Sequence, residues 1–296
     1  MKILVSGSSG LIGSALVKRW SKSADVIRLV RREPRPGGEE IRWDPQAGQI
    51  AADELECLDA VVHLAGDNIA AGRWTAAKKA RIRNSRVEGT GLLAQTLATL
   101  ARPPKVFVSA SAVGFYGDRG EEELDEASPP GPGFLAGVCR DWEAATEPAS
   151  RAGIRVVNVR LGVVLARDGG ALARLIPIFR LGLGGRLGSG RQYLSWITLG
   201  DVVEAILFLL ANDSLRGPVN LVAPQPVTNR KFTEALGRAL HRPTILPTPA
   251  FLLRLALGEM ADEMLLASAR VLPRKLLQAG CPFRDPDFDG ALRRLL

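Results

Sequence analysis

The sequence is poor in the residues on which several kinds of chemistry depend. Its 296 residues include two histidines, His63 and His241, and three cysteines, Cys57, Cys139 and Cys281. Two distant histidines exclude a multi-histidine metal site, and the cysteines lack zinc-ligand spacing. An odd, scattered set of thiols excludes a disulfide framework and fits a reducing compartment, so a cytoplasmic location is expected. Two tyrosines and nine phenylalanines offer few platforms for stacking on bases. The net charge of +8 is spread along the chain rather than gathered in one block, so no nucleic-acid partner is expected. The longest apolar run, Ala205 to Ala211, is far short of the ~20 residues of a membrane span, and no membrane partner is expected. The N-terminal MKILVSGSSG turns from a brief apolar run into glycines, and reads as a strand rather than a signal sequence. No Walker A loop and no G-x-S-x-G elbow occurs.

What is present is an ordinary globular composition, 46% apolar and 24% charged, enough for one large α/β domain with an appendage. KILVSG is a continuous apolar run ending in glycine, the pattern of a buried parallel strand. GLIGSALVKRWSKS follows with helical spacing. DVIRLVRR, IRWDP and DAVVHLAG read as strands two to four, a helix runs from about Thr75 to Leu100, and KVFVSASAVG is strand five. The stretch Gly131 to Gly153 reads as one amphipathic helix, and IRVVNVRLGVVL as a sixth strand. DVVEAILFLLAND is a helix with Asp201 in its first turn, where a carboxylate suits the dipole. TNRKFTEALGRALH is another, with Thr228 as N-cap. This rhythm predicts an α/β fold, a doubly wound parallel sheet with ligands at the carboxyl ends of its strands.

The clearest site is Gly7-Ser8-Ser9-Gly10-Leu11-Ile12-Gly13, lying between strand one and helix one. There Gly7 permits a tight turn, Gly10 lets the backbone approach a pyrophosphate, and Gly13 lets the helix pack on the sheet, while the helix N-terminus faces the anion. The spacing is G-x-x-G-x-x-G. At the end of strand two, where NAD(H) calls for an acidic residue, stand Arg31 and Arg32; two guanidiniums suit the 2′-phosphate of NADP(H). Glu33 follows them and is expected to point elsewhere. Leu64, Ala65 and Gly66 close strand four with residues that let the chain pass close to the adenosine. His63, just before them, reads as a packing residue.

Together VSGSSGLIGSALV, VVHLAGDNIAAGRW, VSASAVGFYGDRG, FLAGVCRDWE, RLGLGGRLGSGRQYLSWI and NLVAPQPVTN resemble the atypical extended short-chain dehydrogenase/reductases, an epimerase family related to nucleotide-sugar epimerases. The likeness covers the whole chain. Residues 1–225 resemble its NAD(P)-binding epimerase/dehydratase-like domain, with part of a substrate lobe from about 166 on, and 246–296 resemble the small, mainly helical domain of unknown function that follows. The resemblance implies a Rossmann domain, a nicotinamide cofactor, taken to be NADP(H), and an unidentified small-molecule substrate, with nucleotide-sugar-like compounds one class. Some relatives carry labels connected with cell division.

One part of the expected machinery is missing. Short-chain dehydrogenases work through Tyr-x-x-x-Lys with a Ser, the Lys holding the ribose and the Tyr moving a proton while hydride passes to or from the nicotinamide. Tyr116 is followed four residues on by Gly120 and Tyr193 by Ile197, so the sequence contains no such pair. Placing the helix by Glu143 puts Leu135 and Cys139 at the two positions. Leu carries no proton to transfer, and Cys139 reads as a small buried residue. Ser109 and Ser111 both stand near the required serine; counting from strand five favours Ser111, whereas counting back from Tyr116-Gly117 places Ala112 there. Tyr116 is the remaining candidate acid, or else a residue packing over the ligand. Arg186, within the glycine-rich stretch Gly182–Gly190, and Arg191 after it either bind substrate phosphates or decorate an exposed hairpin. Arg160 is a further candidate anchor for that lobe. Two readings remain: an NADP(H)-dependent oxidoreductase or epimerase-like enzyme without the usual acid, and a non-catalytic NADP(H) sensor. Oligomerisation is compatible with both.

Overall fold

The computed structural model describes residues 1–21 and 23–296. Its centre is an eight-stranded sheet ordered β12-β8-β6-β5-β1-β2-β3-β4. The strands are β1 (Lys2–Ser6), β2 (Asp25–Val30), β3 (Glu40–Asp44), β4 (Gln49–Ile50), β5 (Ala60–His63), β6 (Val106–Ala112), β8 (Arg155–Leu161) and β12 (Gly217–Leu221). All neighbours pair in parallel except β4, a short antiparallel edge on β3. A parallel sheet must be covered on both faces, and alternate residues of each strand do this. Ile3, Val5, Val62, Val108 and Val157 join one core with α1 (Leu11–Trp20) and α6 (Leu199–Ala211). Leu4, Val61 and Phe107 point the other way, into a core shared with α2 (Ala76–Thr99) and with Ala149 of α4 (Glu147–Arg151). The chain leaves β1 toward β2 on one side and resumes at β5 on the other, so a crevice opens at the carboxyl ends of β1 and β5, the topological switch point where such sheets bind ligands.

The remaining elements build a lobe over that edge. They are β7 (Glu123–Leu124), α3 (Phe134–Ala144), β9 (Val163–Ala166), α5 (Gly170–Arg180), β10 (Tyr193–Leu194), β11 (Trp196–Thr198), β13 (Val227–Thr228), α7 (Asn229–Leu240), α8 (Ala250–Leu257), α9 (Glu259–Ala261), β14 (Arg270–Val271), α10 (Arg274–Gln278) and α11 (Phe288–Leu295). A third core of Phe179, Trp196, Phe232 and Phe288 fills it.

Three expectations from sequence need correction. The first helix ends at Trp20 rather than Ser23, and Lys22 lies outside the described residues. The single helix over 131–153 is two, α3 and α4, broken where Pro148 opens the second, since proline lacks the N–H that would continue the first. The sixth strand is cut at Gly162 into β8, in the large sheet, and β9, which pairs with β11. A Cβ on Gly162 would stand 2.6 Å from the Ser195 carbonyl oxygen, so the backbone can change sheets there only as glycine. The α6 and α7 N-caps are Thr198 and Thr228, each accepting from a backbone N–H in the first turn.

Asp201 does more than face the helix dipole. Its buried carboxylate accepts from the N–H groups of Arg284, at 2.9 Å, and Asp285, at 3.0 Å, clamping the C-terminal segment to α6. Removing it leaves two backbone donors without that partner, the one of Asp285 buried. Asp201→Ala is expected to lower unfolding stability by about 3 kcal/mol, read from denaturant titration, with the fluorescence of the folded state unchanged.

Candidate functional site

The turn after β1 is built by close backbone approach. Gly7 adopts a φ of +65°, and a Cβ there would lie 2.8 Å from the Leu64 carbonyl group. A Cβ on Gly13 would collide with the Gly7 carbonyl. The Gly10 N–H closes the turn onto the Gly7 carbonyl at 2.9 Å, and Ser14 bonds back to Gly10. No acidic residue lies in the first turn of α1 and no side chain caps it, so its leading N–H groups stay available to an anion. Ser6 ties this turn to the end of β5: its Oγ accepts from the Leu64 N–H at 3.0 Å and the Ala65 N–H at 3.3 Å, and lies 2.7 Å from His63 Nδ1. Lys78, on α2, fixes the next loop through Asp67 at 2.6 Å and the Asn68 carbonyl at 2.7 Å.

The turn opens into a cavity of about 820 Å³, bounded at one end by Gly7, Gly10–Gly13, Leu64 and Gly66. Its far wall carries Ser111, Leu135, Cys139 and Trp142, and Tyr193 borders it with Asp262, Glu263, Met264 and Leu266 from the C-terminal segment. Ser111 donates to Glu143 Oε1 at 2.7 Å. Arg160 holds the same carboxylate with two bonds of 2.8 Å, from Nε to Oε1 and from Nη2 to Oε2. Because the Ser111 proton goes to Glu143, the lone pairs of Ser111 remain to accept a hydrogen bond from a ligand. Ser109, one strand pitch earlier, is fully buried opposite His63 and lies outside the cavity.

Family models match this architecture over most of the chain. Residues 3–222 match the NAD dependent epimerase/dehydratase family, and residues 248–295 match a domain of unknown function, DUF1731. The chain belongs to the NAD dependent epimerase/dehydratase family. It is 48% identical over 292 residues to "Epimerase family protein MT2273" of Mycobacterium tuberculosis, covering 98% of this chain and 96% of that one. The crystal structure of human epimerase family protein SDR39U1 with NADPH superposes with a TM-score of 0.90 at 34% identity, covering 100% of this chain and 99% of the other. The UDP-glucose 4-epimerase of Thermus thermophilus, solved with NAD, shares 20% identity at a TM-score of 0.76 over 100% of this chain and 97% of that one, a likeness of fold.

Within this family fold, Leu135 and Cys139 both face the cavity, side by side on α3. Burial pushes the Cys139 thiol up to about 12, so it stays protonated. Tyr116 is placed differently from the expectation that it serves as an acid or covers the ligand. The short 3₁₀ turn Val113–Tyr116 directs its ring into the protein, where it is fully buried. Its hydroxyl accepts from Arg160 Nη1 at 2.9 Å and lies 2.9 Å from the Asp125 carbonyl and 2.8 Å from Asn220 Oδ1, with one proton for those two acceptors. Burial raises its pKa to about 12. The phenol is a buried tie between the sheet and the lobe, and the cavity wall does not include it.

The arginines divide. Arg31 is exposed and makes no ion pair among the described residues, whereas Arg32 holds Glu40 at 2.6 Å. Glu33 turns away to Arg42. Arg186 and Arg191 are exposed and outside the cavity wall. The stretch around Arg186 is instead zipped to the C-terminal segment, Thr248 N–H to the Arg186 carbonyl at 2.8 Å and Gly188 N–H to the Thr248 carbonyl at 2.9 Å. The cavity also holds Arg86, Tyr193 and Glu263, which the sequence reading missed. Only Arg86 left a signal: it falls on the inward side of α2 with Ile82, Gly89, Thr90 and Leu93, where a charge calls for a partner.

His63 sits between Trp43 and Phe107, and burial pushes its imidazole down from 6.5 to about 4. The unfolded chain therefore takes up a proton that the folded protein refuses, so stability falls as pH drops from about 6.5 to about 4, by about 3 kcal/mol in total. Denaturant titrations at pH 7 and pH 4.5 test this, and His63→Asn should flatten the difference.

Proposed function

We propose that the chain binds NADPH along this cavity and works as an oxidoreductase on a small hydroxyl or carbonyl compound, without the phenol that usually accompanies the reaction. The observation that carries the reading is the continuity of the glycine turn with a cavity whose opposite wall offers Ser111, held by Glu143. The pyrophosphate would rest on the N–H groups of α1, and the 2′-phosphate near Arg31, with Arg32 exchanging Glu40 for it or adding to it. The human relative, solved with NADPH, supports that choice. The residues fit the cofactor, since the close approach that Gly7 and Gly13 permit folds the turn tightly and the first turn of α1 has neither an acidic residue nor a side-chain cap to compete with its phosphates. When bound, the cofactor would supply hydride to a carbonyl in its reduced form or accept hydride from a hydroxyl in its oxidised form.

The chain's own contribution is recognition and orientation. Ser111 presents an acceptor, which suits a substrate hydroxyl more than a carbonyl. Glu143, held by Arg160 through two hydrogen bonds, takes the Ser111 proton and so leaves that acceptor free toward the cavity. No residue at 135 or 139 transfers a proton at neutral pH, and losing general acid catalysis costs ~10²–10⁴ in rate. Slow or absent turnover on nucleotide sugars is the expected result. The same lack of an acid favours the second reading, a protein that senses NADPH without turning it over. Glu263 gives that reading a physical link: its carboxylate caps α3 by accepting from the N–H groups of Phe134, at 2.9 Å, and Leu135, at 3.0 Å, so the C-terminal segment grips the helix that walls the cavity.

Fluorescence titration with NADPH should saturate for the native protein and be lost in Gly13→Val. Absorbance of NADPH mixed with a panel of carbonyl compounds, and of NADP⁺ with alcohols, then separates the readings. Turnover that falls ~10-fold or more in Ser111→Ala and is unchanged in Tyr116→Phe supports the oxidoreductase. Saturable binding with no turnover across the panel supports the sensor. An absence of binding to either pyridine nucleotide overturns both.

A further inference from the structure

Arg86 is a charged group with unspent bonding capacity. Its side chain leaves the inward face of α2 and lines the cavity. One donor, Nη1, bonds the Ile82 carbonyl one turn back at 3.0 Å. The guanidinium carbon lies 5.1 Å from the Trp142 ring centre. A Cβ on Gly66 would stand 3.3 Å from that carbon and 3.4 Å from Nη2, so the group packs against the chain just after β5. Among the described residues it has no carboxylate partner. Asp67, which contributes a favourable charge, is itself held by Lys78 at 2.6 Å. Burial works against the charge of Arg86, and the nearby Cys139 thiol stays neutral. A guanidinium has five N–H donors in a fixed fork, and it is costly to keep one half-buried with most of them unused.

Its position says what would use them. Arg86 approaches Gly66 on the side of the glycine turn and Trp142 on the far wall. A dinucleotide laid from the turn to Ser111 must place its second ribose between those two points. We propose that Arg86 is the positioning residue for that sugar, donating to the ribose hydroxyls of the nicotinamide half. A lysine at position 139 would bring a second cation beside it. Cys139, small and neutral, instead leaves the site with one cation reaching in from α2. This inference rests on the NADPH reading above.

The test compares two ligands by calorimetry or fluorescence: NADPH, and 2′-phospho-ADP, which carries the adenosine and diphosphate but no second ribose. Arg86→Met keeps much of the side-chain volume over Trp142 and removes the donors. It should weaken NADPH about 10- to 100-fold and leave 2′-phospho-ADP unchanged, with Arg86→Lys between native and Arg86→Met for NADPH. Equal loss for both ligands, or no loss for NADPH, overturns the assignment while leaving the cofactor reading intact. If the native protein binds neither ligand, the cofactor reading fails first. If Arg86→Met does not fold, Arg86→Lys and Arg86→Gln give the same comparison, with the adenosine-half ligand reporting an intact fold.

Discussion

Everything at this site depends on how closely three stretches of backbone approach one another at the mouth of the crevice. Gly7 turns with positive φ against the Leu64 carbonyl, and Gly13 brings α1 down onto Gly7. Packing this tight forbids side chains, so the first helix begins with its N–H groups bare and aimed across the carboxyl ends of β1 and β5. The Ser6 hydroxyl locks the arrangement by bonding to Leu64 and Ala65. Once that geometry is set, an anion-sized space exists whether or not any residue downstream is catalytic. The cradle and the reacting end of the cavity are therefore separable properties, and this chain keeps the first while altering the second.

At the reacting end, the polar groups have been drawn inward. Ser111, Glu143, Arg160, Tyr116 and Asn220 form one continuous chain of hydrogen bonds. Only Ser111 among them borders the cavity. Each buried member is satisfied by the next, as buried polar groups must be. Arg160 also stacks 3.5 Å over the Phe115 ring, which uses both the charge and the planar face of the group. Such a chain holds the sheet edge, the turn after β6 and the C-terminal segment in one register, with Asn220 bonding the Leu272 carbonyl at 3.0 Å. A phenol committed to that task has no proton to spare at neutral pH, which is why the tyrosine nearest the site in sequence is the wrong one to look to for acid chemistry.

Much of the fold could be read from the sequence because apolar periodicity and glycine placement report on local geometry. The strand-one turn, the caps Thr198 and Thr228 and the parallel core all follow from residues close together in the chain. What escaped reading depends on distant partners. Gly162 looks like one more residue of a long strand until the Ser195 carbonyl arrives beside it. Tyr116 looks accessible until the 3₁₀ turn rotates it toward Asn220, 104 residues away. Arg186 and Arg191 suggest a phosphate-binding loop because they sit among glycines, yet those glycines serve close packing: a Cβ on Gly185 would strike the Leu246 carbonyl.

Arg86 shows how such a gap can be narrowed from sequence once the rule is stated. Its spacing from Ile82 and Thr90 puts it on the buried side of a long helix, among residues that face the sheet and α3. A charged group at that register has two outcomes, a protein partner or a ligand. The nearby carboxylate, Asp67, is engaged with Lys78 from the same helix, four and eight residues before Ile82 and Arg86. Lys78 and Arg86 thus divide the labour along one face of α2, the first anchoring the loop after β5 and the second left open to the cavity. At the crevice α2 contributes the guanidinium of Arg86, whereas α3 presents the side chains of Leu135 and Cys139. A search along α3 alone would find no cation at the cavity, because Arg86 reaches it from α2.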